Sequence, residues 1–139
     1  MRTFSSFRSP LTDSKGTVLV IDDEEPVRQV ASEILGYLGY SVVMAGSGED
    51  GVKHVREGMR PDVVLLDVIM PGLNGFQTLR KLREIEPDLP ILICTGYSDR
   101  KAAESLVTEG ADGFVNKPYD IETLAKQIAK LHGETKRRK

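Results

Sequence analysis

Three short runs constrain the fold more than any other feature of this chain: Val18 to Ile21, Val63 to Leu66 and Ile91 to Cys94. Each is continuously apolar, rich in β-branched residues, and followed by a polar residue: Asp22, Asp67 and Thr95. A strand with one wet face alternates apolar and polar side chains, whereas a strand covered on both faces cannot afford to. Continuous runs therefore predict central strands of a parallel sheet with helices on both sides. Val42 to Ala45 and Gly113 to Asn116 are weaker candidates for two further strands.

The stretches between the runs carry the helical period of about 3.6 residues. Val27, Val30, Ile34 and Leu38 mark a first helix, with Pro26 in its first turn, where a missing N–H does no harm. Val52, Val55 and Met59 mark a second, and Phe76, Leu79 and Leu82 a third behind Asn74 as N-cap. Ala102, Ala103, Leu106 and Val107 mark a short fourth helix, and Ile121, Leu124, Ile128 and Leu131 a fifth behind Asp120. Strand and helix alternate five times. With right-handed crossovers this gives a doubly wound α/β domain in which ligands bind beyond the carboxyl ends of the strands.

A length of 139 residues fits one domain with a real core. The expected boundaries are a disordered N-terminal extension over 1–16, the domain over 17–132, and a basic flexible tail over 133–139. The lone Cys94 excludes an internal disulfide, points to a reducing cytoplasmic setting, and is itself read as a small core residue. No apolar run exceeds four residues, against the roughly 20 that span a bilayer, so no membrane helix is expected. Net charge is −2, but both ends are basic, which leaves the body at −7. An acidic body repels a polyanion, so nucleic acid is not an expected partner.

In a parallel sheet the strand ends lie side by side. That arrangement gathers Asp22, Asp23, Asp67 and Thr95, with Lys117 after the fifth strand, on one edge. Carboxylates at about 4 Å repel by roughly 1 kcal/mol in water and roughly 4 at an effective dielectric of 20. The fold must offset this by a bound cation, by Lys117, or by protonating one acid. Oxygen donors without His or Cys select a hard ion, and sparse carboxylates suit Mg2+. Such a site supports phosphoryl transfer to a carboxylate.

The motifs Val20-Ile21-Asp22-Asp23, Asp67 to Gly75, Thr95-Gly96 and Phe114 to Pro118, in this order and each at a strand end, resemble the response-regulator receiver domain of two-component signalling. The resemblance covers residues 17 to about 132. It implies a flavodoxin-like five-stranded sheet in the order 2-1-3-4-5, and a cis bond at Lys117-Pro118. It implies that Asp67 is the phosphoacceptor and that Asp22, Asp23, Asp67 and the backbone carbonyl of Ile69 bind Mg2+ or Mn2+. Thr95 becomes the switch hydroxyl, Phe114 the switch aromatic, and Lys117 the contact to the phosphoryl group.

The donor is then a histidine kinase or phosphotransfer protein. The target is a protein that docks on the face formed by the fourth helix, fifth strand and fifth helix, and phosphorylation-dependent homodimerisation is left open. No separate substrate is turned over, so the protein is not expected to be an enzyme. Ile69 and Tyr97, two residues beyond Asp67 and Thr95, occupy positions that tune hydrolysis in the family; both are bulky, which predicts a long-lived phosphorylated state. The two ends are too short to encode an output domain, which implies a stand-alone regulator or the receiver segment of a longer protein.

One motif competes. Gly46 to Gly51 matches GxGxxG after a strand, the mark of a dinucleotide site. Glu49 and Asp50, however, stand at the helix N-terminus where a pyrophosphate would lie, so Ser47 to Asp50 is better read as a helix cap. The segment Asp67-Val68-Ile69 lacks the second acid of an aspartate-nucleophile phosphatase. His54 and His132 are expected to be solvated.

Overall fold

The computed structural model describes residues 14–68, 70, 72–96 and 100–138, with side chains through Gly133. The elements run β1 (Thr17–Ile21), α1 (Glu25–Tyr37), β2 (Ser41–Ala45), α2 (Gly48–Arg56), β3 (Val63–Asp67), α3 (Gly75–Ile85), β4 (Ile91–Thr95), α4 (Arg100–Thr108), β5 (Gly113–Asn116) and α5 (Ile121–Arg138). The described strands are all parallel in the order β2-β1-β3-β4-β5, the flavodoxin-like arrangement that the resemblance implies.

The continuous apolarity of the central strands follows from how they are covered. Leu19, Ile21, Val64, Leu66, Ile91 and Ile93 face α2, α3 and α4, where Val52, Val55, Leu79, Leu82, Ala103 and Leu106 meet them. Their neighbours Val18, Val20, Val63, Leu65, Leu92 and Cys94 face the other way, against Ala31 and Leu35 of α1 and Leu124, Ile128 and Leu131 of α5. Because successive side chains point to opposite faces, two cores need every residue of the strand to be apolar. Cys94 is buried, and that burial pushes its thiol up to about 12, in line with a core role.

The caps read from the sequence are present. Asn74 and Gln77 form a reciprocal capping box at α3, the Ser47 side chain accepts from the Asp50 N–H at α2, and Asp120 accepts from Thr123 at α5.

Three expectations differ from the structure. In α1 the buried residues are Ala31 and Leu35, while Val30 is 46% exposed: the inward face is turned by about one position, because the close approach of helix to sheet selects a small residue. The last helix does not stop at 132 but continues to Arg138, since Gly133 is followed only by residues that tolerate a helix. His132 is not solvated. Its side chain is 12% exposed and Nε2 lies 3.4 Å from Asp62 Oδ1, below the amino ends of the strands. No described helix is long and apolar enough to cross a membrane.

Candidate functional site at the carboxyl edge of the sheet

The strand order reverses between β1 and β3, and the helices that follow these strands leave in opposite directions. The crevice at that point receives the residues that end the two strands. Asp22 follows β1 and Asp67 ends β3; both are buried, at 1% and 7% exposure, while Asp23 beside them is exposed. One carboxylate oxygen from each of the three lies within 4.8 Å of the others. Lys117, just past β5, reaches across the edge and its Nζ donates to Asp22 Oδ2 at 2.8 Å and to Asp67 Oδ1 at 2.9 Å. The other oxygen of Asp22 accepts from the Glu24 N–H at 3.0 Å.

One lysine does not neutralise three acids. Burial raises the Asp67 carboxyl to about 6; Lys117 opposes that rise, and the charges of Asp22 and Asp23 add to it. Burial lowers the Lys117 pKa, but its hydrogen bonds to Asp22 and Asp67 outweigh this and hold the ammonium charged, with its pKa raised. The site therefore carries excess negative charge among oxygen donors, partly buried and partly open through Asp23. A hard divalent cation fits that donor set, and Asp22, Asp23 and Asp67 are the side chains that would hold it. Ile69, whose carbonyl is the fourth expected ligand, lies outside the described residues, as does Tyr97.

Thr95 ends β4 fully buried, and its hydroxyl donates to the Gly96 carbonyl at 3.0 Å. Phe114 in β5 is half-buried against the α2–α4 core, with the Arg100 guanidinium 5.6 Å from its ring centroid. The peptide bond between Lys117 and Pro118 is cis, as the resemblance implies.

Two neighbours of the pocket were not legible in the sequence. Arg28 donates to the Asp22 carbonyl at 2.8 Å, and Glu49 accepts from the Leu73 N–H at 3.3 Å. A charge in the first turn of the helix after a strand, or on a different helix, carries no motif. The glycine of the GxGxxG-like run at Gly48 serves packing against α3: a Cβ there would stand 2.8 Å from the Leu73 carbonyl oxygen and overlap Thr78 Oγ1.

A doubly wound sheet with three acids and a lysine at its switch point defines an α/β domain with an acidic pocket whose donor set fits a hard cation. The model of the response regulator receiver domain family matches residues 18–129. The chain is 37% identical over 115 residues to the probable transcriptional regulatory protein TcrX of Mycobacterium tuberculosis, covering 83% of this chain and 49% of that one. It is 36% identical over 119 residues to the response regulator MprA of Mycobacterium leprae, covering 86% of this chain and 52% of that one. The chain thus spans about half the length of the curated relatives it matches. A solved response regulator receiver domain protein from Clostridium thermocellum superposes with a TM-score of 0.84 at 31% identity, covering 88% of this chain and 98% of that one. This chain belongs to the response regulator receiver domain family of two-component signalling.

Proposed function

We propose that the domain accepts a phosphoryl group on Asp67 from the phosphohistidine of a histidine kinase or phosphotransfer protein. The observation that carries this is the bridging of Asp22 and Asp67 by Lys117 around a buried carboxylate whose pKa is raised to about 6. At neutral pH Asp67 is ionised and nucleophilic; its oxygen bonds to phosphorus as the phosphorus–nitrogen bond breaks, and the departing imidazole keeps the electron pair and takes up a proton. Lys117 sits where it contacts the phosphoryl oxygens and offsets their charge. Asp22, Asp23 and Asp67 would hold a Mg2+ or Mn2+ ion, with the Ile69 carbonyl as the further donor the resemblance implies, and the ion would supply further charge neutralisation for the phosphoryl group.

The acyl phosphate then draws the Thr95 hydroxyl away from Gly96, and Phe114 turns into the space released. That change biases the face formed by α4, β5 and α5 towards binding a target protein. The bulk of the residue types at Ile69 and Tyr97, the two positions that tune hydrolysis in the family, supports a long-lived phosphorylated state. The reaction is self-modification rather than turnover of a separate substrate.

Incubation with radiolabelled acetyl phosphate and Mg2+ tests this. Label is expected on the natural chain and none on Asp67→Asn, which keeps the shape and removes the nucleophile. Equal labelling of the two would refute the assignment.

A further inference from the structure

The run Gly46 to Gly51 is left without a role once the pocket is assigned, yet it touches both loops that carry the acids. On the β1 side, Arg28 Nη1 holds the Asp22 carbonyl at 2.8 Å and lies 3.3 Å from the point where a Cβ on Gly46 would stand. On the β3 side, Glu49 Oε2 accepts from the Leu73 N–H at 3.3 Å and lies 2.9 Å from the position of a Cβ on Gly72. A Cβ on Gly48 would collide with Leu73 and Thr78, and one on Gly51 with the Ile21 side chain. The glycines therefore let the start of α2 seat as a wedge between β1 and the β3–α3 loop.

That loop follows Asp67 directly. Its far end is fixed by the Asn74–Gln77 capping box and by the Gly75 N–H, which donates to the Val68 carbonyl at 3.0 Å. At Gly72 the backbone takes φ +73°, which turns the next N–H towards α2, where Glu49 accepts it. An anionic acceptor makes a stronger bond to an amide than a neutral one.

We propose that Glu49 is a positioning residue for the acidic pocket. Its carboxylate braces Leu73 from α2, beside the Gly75–Val68 bond that ties the start of α3 back to Asp67, and so steadies Asp67 for the cation. Glu49 itself touches neither the cation nor the phosphoryl group. The brace has a function only if the pocket binds a cation as proposed above, so the experiment separates the two.

Amide exchange at Leu73 is measured by NMR on the full chain in EDTA, and Mg2+ affinity by titration, for Glu49→Ala, Glu49→Gln and Asp23→Asn. Glu49→Ala is expected to speed exchange at Leu73 roughly tenfold, leaving the strand amides unchanged. It is also expected to weaken Mg2+ binding roughly tenfold. Glu49→Gln keeps an acceptor oxygen at the same reach and recovers most of both losses. If Asp23→Asn loses Mg2+ binding while Glu49→Ala changes neither readout, the brace is wrong. It is equally wrong if affinity falls without any change at Leu73, since that is a loss of remote charge and not of a hydrogen bond. If Asp23→Asn binds Mg2+ like the natural chain, the cation reading fails, and exchange at Leu73 still decides whether the brace exists.

Discussion

The two ends of the sheet use the same residue type in opposite ways. At the amino end Asp62 accepts from the Thr17 N–H at 2.7 Å and pairs with His132, while Asp112 accepts from the Ile91 N–H at 2.8 Å and pairs with Arg83 at 3.0 Å. Each acid there has its own side-chain partner and its own backbone donor. At the carboxyl end Asp22 and Asp67 share Lys117 beside the exposed Asp23, and Asp67 carries the strain as a raised pKa. Satisfied carboxylates staple elements together; an under-compensated set is a site waiting for a positive ligand.

The largest expected effect tests whether Lys117 is what makes the acidic end tolerable. Lys117→Ala leaves Asp22 and Asp67 buried without their cation, which is expected to destabilise the metal-free protein by about 3 kcal/mol. Added Mg2+ should restore much of this, and thermal melts with EDTA and with Mg2+ provide the check. A loss of stability insensitive to metal would mean that the two cations are not interchangeable here.

Next comes the sign of the Asp67 contribution. Its folded pKa of about 6 lies above the ordinary 3.8, so the folded state binds the proton more tightly. The stability it lends is complete below about pH 4 and is lost as pH rises through 6. In EDTA, Asp67→Asn is therefore expected to be more stable than the natural chain by about 1–2 kcal/mol at pH 7.5, with the gain vanishing near pH 4. Urea titrations at the two pH values measure it. A variant less stable at pH 7.5 would contradict a destabilising carboxylate.

The smallest effect belongs to the satisfied end. Asp62→Ala removes one amide acceptor and the partner of His132, at an expected loss of about 1 kcal/mol, without altering labelling by acetyl phosphate. A large change in labelling would show that the two ends are not independent.

The same contrast explains what could be read in advance. β1, β3 and β4 were plain because burial on both faces leaves a contiguous apolar run, whereas β2, at the edge and only partly covered, has a weaker signature. Asp22, Asp67 and Lys117 were legible because parallel topology alone brings strand ends together. The Asp62–His132 pair and the contacts of Arg28 and Glu49 join residues through tertiary packing, for which local sequence has no mark. The inward face of α1 was misplaced because Ala31 contributes little to an apolar pattern but fits closely against the sheet.

The bond from Thr95 to the Gly96 carbonyl has a bearing on noise in the proposed switch. A hydroxyl already engaged can only exchange partners, so the unphosphorylated domain carries a counterweight of about 1 kcal/mol against sampling the other rotamer, enough to hold that excursion to roughly one molecule in five or fewer. A phosphoryl oxygen, as a charged acceptor, makes a bond about twice as strong and tips the balance. Background activation of the proposed switch would then be set by a main-chain carbonyl, which no side-chain replacement at Gly96 can delete.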